Sequence, residues 1–303
     1  MAGHAGIDVV TEPVVFTRVS RGPGLLTRSL RLARRKPIGA VAFVIVAVMS
    51  LLALLAPLIA PYAPDEPDFN ALLAPMSAAH PFGTDQLGRD VLTRVIYGTR
   101  ISFIVGFAVA IGGRLISTIL GVAAGYLGGR TDTIIMRIVD GMLAFPGLIL
   151  AIALVTALEP SVLNVIIAIT ITSVASATRV TRSAVIAVRE DAYIEAARAT
   201  GCSELRIMWR HVLPNITALL IVLTSLSFAA AILVEASLSF LGLGPPPPTP
   251  SLGNMLSIEG RTSFSIAPWL AIWPGVAISL AVYAFNMLGD TLRDVLDPRL
   301  RGT

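Results

Sequence analysis

Ile38–Ala60 reads IGAVAFVIVAVMSLLALLAPLIA, 23 residues without a charge. As a helix rising 1.5 Å per residue, a run of this length crosses the roughly 30 Å of hydrocarbon in a bilayer. Others follow. Ile101–Gly128 is apolar except for Arg114, and Thr131–Leu158 carries Asp132, Arg137 and Asp140 in its first third and no later charge. Ser161–Thr178, Val212–Val234 and Ala267–Gly289 are uncharged. Over 303 residues, 55% are hydrophobic and 14% charged, with a mean hydropathy of +0.79. A soluble domain carries about 25% charged residues, so lipid, not a protein core, must cover this apolar surface. The runs are continuous rather than alternating, which argues against a β-barrel. The fold class expected is an all-α integral membrane protein with six transmembrane helices.

The arginines orient it. With the N-terminus in the cytoplasm, the segments facing inward hold eighteen of the 23 Lys and Arg residues. Seven lie between Arg18 and Lys36, two are Arg130 and Arg137, six lie between Arg179 and Arg210, and three are Arg293, Arg299 and Arg301. Arg89, Arg94, Arg100 and Arg261 fall outside, and Arg114 falls within a span. This asymmetry places both termini in the cytoplasm. It also accounts for the net charge of +4 without nucleic acid as a partner; membrane lipid is the expected surroundings. The first apolar run exceeds the 7–15-residue core of a cleaved signal peptide and reads as a retained anchor. The single cysteine, Cys202, cannot form an internal disulfide and receives no chemistry.

Residues 1–37 form a polar, Arg-rich cytoplasmic tail, 38–60 the first transmembrane helix and 61–98 an extracytoplasmic loop. Prolines and glycines forbid a long helix in the first part of that loop, whereas from Asp90 the apolar spacing predicts a short surface helix leading into the second span. The five remaining helices occupy 99–290, and 291–303 is a cytoplasmic tail. Pro146 predicts a kink in the third span. Pro245–Pro248 ends the fifth and favours an extended path.

The longest internal polar segment runs from Thr178 to Asn215. Asp191–Ala199 predicts a short helix. Gly201 follows where a left-handed C-cap belongs, and Ser203 is placed to cap a second helix that runs into the fifth span. Pro214 allows a first turn or a kink there. Such a hairpin is either a solvated connector or a docking element. For docking, Ala196, Ala197 and Ala199 keep one side small, with Glu195 and Arg198 at its edge.

EAARATG at Glu195–Gly201, nine residues, then HVLP at His211–Pro214 resembles the EAA loop of ABC importer permeases. Glu195, Ala196, Ala197, Gly201, Leu213 and Pro214 fit its pattern; His211 occupies a position that is usually hydrophobic. HPFGTDQLGRDVLTRVIYGTRIS (His80–Ser102), MRIVDGMLAFPGLILAIAL (Met136–Leu154), EASLSFLGLGPPPPTPSLGNML (Glu235–Leu256) and the ending NMLGDTLRDVLDPRLR resemble the dipeptide/oligopeptide permeases, and the Pro-rich first outer loop resembles their C-type subunit. The resemblance implies the type I ABC importer permease fold over 99–290, with a coupling loop at about 190–215. It implies a homologous B-type permease, two cytoplasmic ATPase subunits or one fused ATPase, and an extracytoplasmic binding protein as partners. Short peptides would be the cargo and alternating access the mechanism; nickel importers of the same family have similar permeases and remain an alternative. No cofactor is expected on this chain. Lys36, the only lysine, precedes Pro37, so no P-loop can hold phosphates, and ATP and Mg would bind the partner subunits.

Charges inside the spans carry the remaining chemistry. Arg114 costs about 2.5–3.5 kcal/mol to insert. It either faces the translocation path, pairs with a neighbouring subunit, or pairs within the chain with Asp140. Arg137 shares a helix face with Asp140. Glu235, at the outer end of the fifth span, either rims the outer mouth or is simply solvated there, and the second is the reading preferred. Asp140 and Asp290 raise the thought of an intramembrane aspartyl protease, but MLGD around Asp290 lacks the Gly-x-Gly-Asp of such enzymes. His4, His80 and His211 form no His-Glu-x-x-His site. A self-contained secondary transporter would show inverted repeats, and none is visible; it would also leave the Glu195–Pro214 pattern without a purpose.

Overall fold

In the computed structural model, residue 34 and residues 36–296 are described; the expectations for most of the N-terminal tail and for the end of the C-terminal one lie outside them. Among the described residues the regular structure is helical. Five helices are long and apolar enough to cross a bilayer, and a bent pair makes the sixth if counted as one span.

The first apolar run is two helices, α1 (Pro37–Leu54) and α2 (Ala56–Ile59), separated at Leu55. Pro57 has no amide to offer the turn before it, so the ladder breaks there. The next 30 residues form an ordered loop. His80 Nδ1 meets Asp90 at 3.0 Å, Arg89 Nε donates to Asp85 at 2.6 Å, and the Trp269 indole donates to the Thr84 carbonyl at 3.1 Å. Asp90 then caps α3 (Val91–Leu127), accepting from the Thr93 amide at 2.8 Å. The expected surface helix and the second span are therefore one 37-residue helix, because no residue between them breaks the ladder.

The third span is broken rather than kinked. α4 (Gly129–Leu143) and α5 (Gly147–Leu158) meet at 88° across Ala144–Pro146. α6 (Val162–Arg189) begins at Ser161, whose hydroxyl accepts from the Asn164 amide. It continues well past the expected end at Thr178, because its polar half is anchored on α4: Arg182 binds Asp132 through both Nε and Nη2, at 2.5 and 2.6 Å. α7 (Ala192–Ala199) and α8 (Glu204–Phe240) follow, then α9 (Leu252–Thr262) and α10 (Trp269–Leu296). α9 follows the Pro245–Pro248 run, and the sequence reading assigned no helix there.

α3 and α6 are the closest pair. Their seam is built from Gly113, Ser117, Gly121 and Gly125, all buried. A Cβ on Gly121 would fall 2.6 Å from Thr181 Cβ, and one on Gly125 would fall 2.8 Å from the Arg182 carbonyl oxygen. Small residues let helices pack closely in a membrane, where apolar side chains gain nothing by leaving lipid. Phe103, Phe228 and Phe285, from α3, α8 and α10, pack edge-on and stacked, while Val105, Val109, Ala151, Val165 and Ala168 form a second cluster. Ile38, Val41, Phe43, Ile111 and Leu115 stay exposed, as lipid-facing residues should.

Gly125→Ala should therefore destabilise the folded chain by about 1–3 kcal/mol, despite alanine's better helix propensity. Gly112→Ala meets nothing within 4 Å and should not. Thermal unfolding of the two variants in detergent would separate packing from propensity.

Candidate functional site

The Glu195–Pro214 hairpin has a buried inner side and an exposed outer one. Ile194, fully buried, packs with Ile207, Val212, Val185 and Tyr126. This small apolar cluster holds α7 against the C-terminal end of α3 and the C-terminal end of α6. Glu195, Ala196 and Arg198 remain exposed, and Ala197 is half-buried. Gly201 has φ +81°. Its amide donates to the Arg198 carbonyl at 2.9 Å and the Cys202 amide to the Ala197 carbonyl at 3.1 Å, the paired bonds of a Schellman turn. Ser203 occupies the N-cap position, as expected, though its side chain makes no capping bond.

Tyr126, at the end of α3, locks the hairpin. Its hydroxyl donates to Glu204, and Arg198 Nη2 donates to that hydroxyl at 3.4 Å. The Arg198 guanidinium lies 5.5 Å over the Tyr126 ring, with its Nε 3.5 Å from Glu204. Beside the Tyr126 hydroxyl, Arg198 is held above the usual guanidinium value. Arg189, closing α6, donates to the Tyr126 carbonyl at 3.0 Å. Three helices thus meet at one tyrosine. Sequence reading placed Arg198 in the hairpin but missed Tyr126, Arg189 and Glu204, since a tyrosine ending an apolar run and partners 63 to 78 residues away carry no local signal.

α8 enters its span through a π-helical segment, Met208–Val212, where the Leu213 amide reaches back to the Met208 carbonyl. The wider turn accommodates Pro214, which has no amide to donate. His211 and Leu213 are half-buried and Pro214 is exposed. Asn215 Nδ2 donates to the His211 carbonyl at 2.6 Å. The eight hairpin residues singled out from the sequence fall on α7, on the turn at Gly201 and on the first turns of α8.

A second feature lies between the helices. α3, α5, α6 and α8 enclose a cleft of about 420 Å³, lined by Arg114, Ser173, Ser176, Ser227 and apolar side chains. Arg114 Nη2 donates to Ser227 at 3.0 Å. Asp140 is not its partner. That carboxylate is half-exposed and accepts from Arg179 Nη2 at 2.6 Å, a residue that α6 reaches only because it continues beyond Thr178. Nor is Asp140 paired with Arg137. Asp290 is exposed on α10. Glu235 corrects the sequence reading too: it is fully buried, accepting from Ser102 at 2.8 Å and Ser239 at 2.7 Å. α9 covers it, and it comes so close that a Cβ on Gly253 would collide with the Ala236 carbonyl.

Residues 117–302 match the family model for the binding-protein-dependent transport system inner membrane component, and residues 25–80 match that for the N-terminal transmembrane domain of oligopeptide transport permease C. The chain is 49% identical over 232 residues to a dipeptide transport system permease protein DppC of Alkalihalophilus pseudofirmus, covering 77% of this chain and 76% of that one. It is 41% identical over 294 residues to a putative peptide transport system permease protein of Brucella suis, covering 96% and 98%. It is 44% identical over 234 residues to a glutathione transport system permease protein GsiD of Pectobacterium atrosepticum, covering 77% of each.

Tyr126→Phe removes one hydroxyl and leaves the Glu204 carboxylate without its neutral donor. At about 1–2 kcal/mol for that loss, amide exchange over 192–205 should quicken roughly tenfold, with α1 unaffected. Hydrogen exchange read by mass spectrometry would check it.

Proposed function

This chain belongs to the family of binding-protein-dependent transport system inner membrane components, and on that premise we propose that it is the C-type permease of an ATP-driven importer of short peptides. Peptide cargo is supported by the dipeptide, peptide and glutathione systems to which its relatives belong. A homologous B-type permease completes the path, and an extracytoplasmic binding protein delivers cargo. Both termini face the cytoplasm. ATP and Mg bind cytoplasmic ATPase subunits and not this chain, whose single lysine precedes a proline.

The observation that carries this reading is the two-sided hairpin. Its inner side is fixed to α3 and α6 by Ile194 and the Tyr126–Glu204–Arg198 contacts. Its outer side offers Glu195 and Ala196 unencumbered, the arrangement a docked ATPase needs. A pull on α7 is then carried as a rigid-body movement: through Tyr126 into α3, through Arg189 into α6, and along α8, whose helix is continuous with the hairpin. Those three helices also wall the cleft. ATP-driven motion at the hairpin thereby alternates access to it.

Glu195→Lys reverses an exposed charge and leaves the fold intact. In the reconstituted importer it should cut peptide uptake at least about tenfold, while the complex stays assembled and still hydrolyses ATP. Gly201→Val, forcing a β-branched residue to φ +81°, should uncouple in the same way. Uptake at the unmodified rate in both variants would remove the coupling role from the hairpin.

A further inference from the structure

Arg114 has one hydrogen bond, to Ser227; its Nε and Nη1 are buried without a partner. Among the described residues no carboxylate lies within ion-pair distance of it. A guanidinium stays charged at every physiological pH, so it cannot escape burial by losing its proton. An unpaired buried charge is costly. The fold leaves it uncompensated at the wall of the cleft between α3, α5, α6 and α8.

The rest of that wall is neutral. Thr172, Ser173 and Ser176 contribute hydroxyls whose protons are already donated back into α6, so their oxygens are left as acceptors. Apolar residues complete the lining, and the volume of about 420 Å³ falls in the roughly 300–1,000 Å³ range of small-ligand sites. The cleft therefore offers one planar cationic fork, several acceptors for N–H groups, and no anion.

We propose that Arg114 receives the C-terminal carboxylate of the peptide in transit; this rests on the importer reading above. A carboxylate matches the guanidinium fork with two parallel hydrogen bonds. Every linear peptide carries one whatever its sequence, so a single arginine can serve a broad cargo. The same charge repels the N-terminal ammonium, and the peptide enters the cleft with its C-terminus toward α3. The side chain turns from Ser227 to the incoming carboxylate, and the hydroxyl holds it between cargoes.

The test uses the whole importer in proteoliposomes, with both permeases, the ATPases and the binding protein. Uptake of Ala-Ala-Ala is compared with that of its C-terminal amide, each at concentrations that saturate the binding protein. Any preference of the binding protein is common to all permease variants and cancels when ratios are compared. In Arg114→Met the acid-to-amide ratio should fall at least about tenfold from that of the unmodified importer, with Arg114→Lys in between. An unchanged ratio in Arg114→Met, even with slower uptake of both, overturns the proposal. So does loss of the second permease from the purified Arg114→Met complex, which would assign the arginine's counter-ion to that subunit. If the unmodified importer hydrolyses ATP but moves neither peptide, the peptide-importer reading fails and the proposal goes with it.

Discussion

The approach of α3 to α6 is the constraint on which the rest depends. Gly121 and Gly125 bring the two helices within backbone distance, and no side chain can be added there without pushing them apart. Because they are that close, Arg189 reaches the end of α3. The apolar cluster under α7 then has two firm walls. The cleft further along has a fixed width for the same reason. Lipid offers no hydrophobic gain for pressing helices together, so small side chains and interhelical hydrogen bonds must supply the attraction. The chain uses both: glycines along this seam, and arginine–aspartate and serine–carboxylate contacts between other helix pairs.

Those polar contacts divide by depth. Arg182–Asp132 and Arg179–Asp140 join α6 to α4, in the polar half of α6 that extends toward the hairpin. Glu235 with Ser102 and Ser239 joins α3 to α8 where α9 closes over them. Each of these carboxylates is satisfied inside the chain. Arg114 differs in having a hydroxyl for a partner and no anion, and it is the charge that borders the cleft. These acidic groups are used for internal pairing, while the one cation beside the open volume is left unneutralised.

Much of this was legible in the sequence, and the reasons differ by element. Each span announces itself because transfer of apolar residues into lipid is summed over about 20 positions and does not need to know what packs beside it. The hairpin was legible because its signals are local: acidic start, glycine at the left-handed position, proline after. Helix ends were less so. α3 and α6 outrun their apolar runs because polar side chains continue a helix as readily as apolar ones when a neighbour anchors them. Pro146 marked a bend, but the 88° angle is set by where α5 finds its packing against α6. Glu235 misled because its burial is conferred by α9, a helix folded over it from beyond the proline run. Arg114 and Asp140 could be paired on paper; in the molecule Arg179 on α6 takes the aspartate, and spacing along the chain cannot decide that competition.

The π-helical segment at Met208–Val212 has a consequence for how α8 is phased. A π turn accommodates one residue more than an α turn without interrupting the rod, and one residue is about 100° of rotation. Every side chain beyond Val212 therefore faces where it does by virtue of that single surplus residue. Ser227, turned toward Arg114, and Glu235, turned into the serines, both lie downstream of it. The segment works as a keyway: it leaves the shaft unbroken and sets the angle at which the apolar half of α8 is clocked against the half that belongs to the hairpin. Shortening it by one position would keep the rest of the helix and turn Ser227 and Glu235 away from Arg114 and Ser102.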